Sequence, residues 1–112
     1  MATYAFFTPI KPGKTDTWKQ YVNEMTGARK AELAASRKRV GLTREDVWLQ
    51  QTPMGDFAVV YWEAADIGNV FHGLMTSQDP FDAWFREKVF GEIHGIDPTG
   101  PMPPMNQQML GA

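Results

Sequence analysis

The chain has no cysteine. That excludes disulfides, thiolate nucleophiles and zinc sites built on cysteine. Histidine is scarce too: His72 and His94 are the only two in 112 residues. They stand far apart and lack a carboxylate cluster at ligand spacing, so no metal site and no cofactor are expected. Charge of one sign is not in excess, since Lys and Arg number 11 against 13 Asp and Glu. A nucleic-acid binder normally shows a basic surface, so none is expected here. Long apolar runs are missing. The N-terminal MATYAFFTPIKPGK has no charged region before its short apolar run, and Pro9 breaks that run. Neither a signal peptide nor a membrane span is indicated, and the expectation is a soluble, cytoplasmic protein. No glycine-rich phosphate loop and no glycine-flanked nucleophilic serine is present.

What remains is ordinary globular material: 43% apolar, 12% aromatic and 21% charged residues. A chain of this length is expected to fold as one domain, residues 1–112, with a single core. TYAFFTPI at 3–10 reads as a strand, and Lys11-Pro12-Gly13 as a turn. Thr15 or Asp16 can cap a helix in which Trp18, Tyr21, Val22 and Met25 recur at helical spacing. That helix is expected to reach about Arg39. Asp66 can cap a second helix striped by Ile67, Val70, Phe71, Leu74 and Met75. Asp79-Pro80 restarts a third, with Phe81, Trp84, Phe85, Val89 and Ile93 as its stripe and His94-Gly95 as its end. The proline-rich tail, 98–112, is expected to be extended, with a short edge strand near Asn106 to Leu110.

Between the helices lies WLQQTPMGDFAVVYWEA, two apolar runs around Pro53-Met54-Gly55. A three-residue loop here would pair Thr52 with Asp56. Val47, Leu49, Gln51, Phe57, Val59 and Tyr61 would then share one face, and Asp46, Trp48, Gln50, Ala58, Val60 and Trp62 the other. Both faces are apolar enough to need cover. The order of elements is the ferredoxin-like βαββαβ plan, an α+β fold whose antiparallel sheet has helices on one face. The other face, with Trp48, Val60 and Trp62, is expected to be covered by a second copy, making a homodimer.

The length, the hairpin and DPFDAWFREKVFGEIHGID resemble the dimeric α/β-barrel superfamily. More narrowly, WLQQTPMGDFAVVYWE followed by DPFDAWF and IHGID resembles a group of short bacterial proteins to which no activity is attached. The superfamily includes cofactor-free monooxygenases, polyketide cyclases, lactone isomerases, haem enzymes and stress-response proteins. The resemblance implies a homodimeric α/β barrel and leaves the reaction open.

Candidate site residues follow from side-chain chemistry. His72, at the edge of an apolar arc, suits acid–base work at neutral pH. In the superfamily's layout, a cavity between sheet and helices would collect it with Tyr61 and Gln51. Arg29 shares a helical arc with Trp18, Val22 and Met25 and could hold an anionic ligand. A kink near Gly27 would instead turn Ala28, Ala31 and Ala35 inward and leave Arg29 paired with Glu32 in solvent. His94 and the basic run RKRV at 37–40 read as cations suited to helix C-termini. Two functions compete: a binding protein for a small apolar or aromatic molecule, and a cofactor-independent oxygenase or isomerase. A dimerisation module is the third possibility.

Overall fold

The computed structural model describes residues 1–97, 99–100 and 104–111. Strand β1 (Ala2–Pro9) leads through a turn into helix α1 (Thr15–Thr26), followed by α2 (Lys30–Arg39). The hairpin β2 (Leu42–Thr52) and β3 (Gly55–Ala64) precedes α3 (Ile67–Thr76) and α4 (Pro80–Phe85). The last helix continues without interruption into a π-wound segment, Arg86–Ile93. The architecture is α+β, with an open antiparallel sheet of three strands in the order β1-β3-β2.

The long first helix expected from the sequence breaks in two. Gly27 takes φ −111° and ψ −99°, outside the helical region, and α2 starts again at Lys30. Helix α1 has Lys14 at its N-cap with no side-chain cap, and Thr15 Oγ1 donates instead to Asp56 Oδ2 at 2.6 Å; the later caps form as expected. The Asp66 side chain accepts from the Asn69 backbone N–H, and Asp79 accepts from Phe81 N–H with Pro80 at the first helical position. Gly41 and Gly95 follow helix ends with φ of 82° and 67°, a region open to glycine.

The hairpin register differs by one residue from the expected one. Thr52 pairs with Gly55, so Pro53-Met54 makes a two-residue turn. The Thr52 hydroxyl donates to the Gly55 carbonyl at 2.8 Å and accepts from Met54 N–H at 3.1 Å, which closes the shorter loop. The two faces therefore exchange partners. Ala58, Val60, Trp62 and Ala64 of β3 point toward the helices and are buried. Phe57, Val59, Tyr61 and Glu63 lie on the outer face, opposite Gln50, Trp48, Asp46 and Arg44. Val60 and Trp62 thus belong to the chain's own core, Trp62 being 2% exposed. Trp48 stays on the outer face, 55% exposed.

The register shifts between Leu42 and Arg44. This bulge lets Leu42 and Glu45 both face the helices. Around Trp62 the core is an aromatic cluster. The Trp62 ring lies 5.0 Å from Phe6 and 4.9 Å from Phe71, and Tyr4 stacks on Phe6 at 4.8 Å. No strand forms in 104–111. There the tail meets the open edge of β1 through side chains: Asn106 Nδ2 donates to the Ala5 carbonyl, and Tyr4 Oη donates to the Pro104 carbonyl at 3.4 Å. Pro98, 101–103 and Ala112 of the expected extended tail lie outside the described residues.

Candidate functional site

Between the inner sheet face and the helices is a cavity of about 550 Å³. Its walls are mainly aromatic and aliphatic. Tyr4, Phe6, Val60 and Trp62 come from the sheet, and Trp18, Val22, Met25 and Leu33 from α1 and α2. Phe71 and Met75 of α3 and Phe85, Val89 and Phe90 of the last helix complete them. The volume is that of a small-molecule site, about 300–1,000 Å³, and such sites are mostly apolar with a few placed polar groups.

The last helix shapes one wall by its winding. In a π segment the turn closes at i→i+5, and His94 N–H donates to the Val89 carbonyl at 3.2 Å. Residues five apart therefore share a face. Phe85 and Phe90 meet edge to face with centroids 4.9 Å apart, and Val89 and His94 both line the cavity.

Polar groups enter at two ends. At one end, α2 brings in Arg37 and the bulged start of β2 brings in Glu45. Arg37 Nε donates to Glu45 Oε1 at 2.9 Å, Arg37 Nη1 donates to Ser36 Oγ at 3.1 Å, and Trp62 Nε1 donates to Glu45 Oε2 at 3.0 Å. The guanidinium lies 4.4 Å from the centroid of the Phe85 ring, a cation–π contact. At the other end His94 Nδ1 is 2.9 Å from the Pro9 carbonyl. That bond makes Nδ1 the protonated nitrogen and leaves Nε2 as an acceptor. Burial lowers the His94 pKa, and the Pro9 bond opposes the shift without cancelling it. Pro9 of β1 pairs with Phe57 of β3 and Tyr4 of β1 pairs with Trp62 of β3, so the two pairs lie near opposite ends of the β1–β3 ladder. The polar ends are separated by a strand's length, roughly 13–17 Å at 3.3 Å per residue.

The residues singled out from the sequence go elsewhere. His72 is exposed on α3 and does not line the cavity. Tyr61 faces outward, donating to Glu63 Oε2 at 2.6 Å beneath the Arg44 guanidinium. Gln51 is on the inner face but at its exposed end, with Nε2 3.5 Å from Asp56 Oδ2. Arg29 pairs with Glu32 through Nε and Nη2 at 3.0 and 3.1 Å and lies 4.4 Å from the Trp84 centroid. The structure does not bring these four together. It brings together Arg37, Glu45, Trp62 and, across the apolar floor, His94. The inward face of α2 holds Leu33, Ser36, Arg37 and Val40 rather than its alanines.

Among the described residues no cluster of His, Asp and Glu could hold a metal ion, and no helix is long and apolar enough to cross a membrane. No family model matches the chain, and no curated protein matches it.

Proposed function

We propose that this protein binds a small apolar or aromatic molecule in the cavity between sheet and helices. The observation that carries the reading is the cavity itself: about 550 Å³, walled by Phe6, Trp62, Phe71 and Phe90, with few polar side chains in its lining. A space lined by so many large side chains could have been filled by them, and is not. Trp18 and Trp62 in its wall make tryptophan fluorescence a direct reporter. Titration with 4-hydroxybiphenyl is expected to quench that fluorescence saturably. Val22→Trp places a large ring into the space from α1. It is expected to abolish the quenching while the thermal midpoint holds or rises, because filling a void adds contacts. Wild-type protein that shows no saturable change, or a Val22→Trp variant that binds as well as wild type, defeats the reading.

A second observation favours a homodimeric assembly of the α/β-barrel kind. All the helices among the described residues pack on one side of the sheet. The other side presents Phe7 at 69% exposure beside Phe57, Val59 and Trp48. Contiguous apolar surface of this sort marks an interaction site. The same face of a second copy is its natural cover: an isologous two-fold contact is self-complementary, and it would close both sheets at once.

A further inference from the structure

The polar end of the cavity carries information about what the ligand must be. Among the lining residues one is a cation and one an anion, Arg37 and Glu45, and they are paired. Both carboxylate oxygens of Glu45 already accept a bond, from Arg37 and from Trp62. Arg37 uses Nε and Nη1, so Nη2, with its two N–H groups, has no partner among the described residues. The side chain is only 10% exposed but lines the cavity, and among the described residues no buried side-chain nitrogen lacks a partner, so Nη2 stays accessible from the cavity end. The end of the cavity therefore offers a charged donor whose charge is already neutralised.

An anionic ligand meets this end badly. Its carboxylate would gain Arg37 but sit beside the Glu45 carboxylate in an apolar enclosure, and it would lose its own hydration. An uncharged carbonyl oxygen has neither cost. It accepts from Nη2, and bonds to a charged donor are the stronger kind. Resting on the cavity as a binding site, we infer that its ligand is an uncharged aromatic or apolar molecule bearing a carbonyl. Arg37 holds the carbonyl oxygen, and Glu45 turns away the carboxylate analogue. Glu45 is the specificity-determining residue, and it acts by charge.

The test compares three probes of one shape on the full chain: 4-hydroxybiphenyl, 4-acetyl-4′-hydroxybiphenyl and 4′-hydroxybiphenyl-4-carboxylate. One charge-assisted hydrogen bond predicts that the ketone binds about tenfold more tightly than the parent, and the carboxylate more weakly than the parent. Glu45→Gln keeps an acceptor for Trp62 Nε1 and removes the negative charge. In that variant the carboxylate is expected to gain more than the wild-type gap between the two, over about tenfold, and so to overtake the ketone. Wild-type protein that prefers the carboxylate, or a ketone no tighter than the parent, overturns the inference. A folded Glu45→Gln protein with an unchanged order of affinities does the same. If that variant fails to fold, the wild-type comparison decides alone. If the parent biphenyl binds but the carbonyl adds nothing, the carbonyl assignment falls and the cavity stands. If none of the three binds, both fall.

Discussion

Asp82 is the residue on which the helical layer closes. Its carboxylate is fully buried, and every oxygen is used. Ser36 donates to Oδ1, while Ser77 at 2.6 Å and Arg39 Nε and Nη2 at 3.2 and 3.0 Å converge on Oδ2. It ties α2 to the joint between α3 and α4. Burial alone would raise its pKa, but the bonds from Ser36, Ser77 and Arg39 and the charge of Arg39 hold it below the usual carboxylate range. Removing the carboxylate leaves the Ser36 and Ser77 hydroxyls and Arg39 Nε without their acceptor, while Arg39 Nη2 keeps Asp79 Oδ1 at 3.1 Å. Asp82→Ala is expected to cost about 3 kcal/mol in urea denaturation, at the low end for a broken buried pair because Arg39 is partly exposed. The pH dependence has a definite sign. A lowered folded-state pKa means that the stabilisation is complete above the unfolded value near 3.9 and is lost as pH falls through the folded value. The gap between wild type and variant should therefore narrow in acid below about pH 4; a constant gap across that range would show that the carboxylate's charge contributes nothing. Residue-scale chemistry was legible where it was local, as with the Asp66 and Asp79 caps. It was not legible for Arg37, which sits in a basic run that reads as helix-end charge, nor for His94, which reads as a C-terminal cation.

Elements meet through small residues and odd winding. Gly73 of α3 lies against Val40, so that a Cβ there would come 2.8 Å from Val40 Cγ1 and 3.1 Å from its Cβ. Valine cannot swing away, since its χ1 is stiff in such settings. Gly73→Ala gains up to about 1 kcal/mol of helix propensity but incurs overpacking of about 1–3 kcal/mol. The variant is expected to melt lower than wild type, and adding Val40→Ala should recover part of the loss in a double-mutant cycle. A Gly73→Ala protein that melts higher would mean that the two helices separate freely. The π segment explains why His94 rather than His72 lines the cavity. A stripe at α-helical spacing collects Phe81, Phe85, Val89 and Ile93. Winding at i→i+5 adds Phe90 beneath Phe85 and carries His94 round beside Val89. Likewise, the hairpin faces follow from a two-residue turn and a bulge near Thr43. Either device moves side chains from one face to the other, because the strand period is two.

At the scale of the molecule, the unanswered surface is the outer sheet face. Trp48 lies there with no role in the core, so a charged replacement tests association without touching the fold. Sedimentation velocity is expected to find wild type as a dimer and Trp48→Glu as a monomer with a closely similar urea midpoint, since exposed substitutions usually shift stability by no more than about 0.5 kcal/mol. A monomeric wild type would remove the second-copy reading and leave the apolar face to some other partner. Trp62 makes the contrast. A three-residue loop would set it beside Trp48 on the outer face; the two-residue turn sets it in the aromatic core. Trp62→Ala would therefore report on folding and could say nothing about assembly.

The sequence by itself determined the helices, three of the expected strands, most of their boundaries and the α+β class; the edge strand expected near Asn106 to Leu110 does not form. These rest on interactions within a few residues: apolar periodicity, Asx caps, proline at a helix start, and glycine where φ turns positive. Tertiary structure decided which face each strand presents, which histidine meets the cavity, and that Arg37, Glu45 and Trp62 converge. Those outcomes turn on a single residue of register, one bulge and one extra residue per helical turn. Each costs little locally and is selected only when sheet and helices pack together, so no short-range pattern records it.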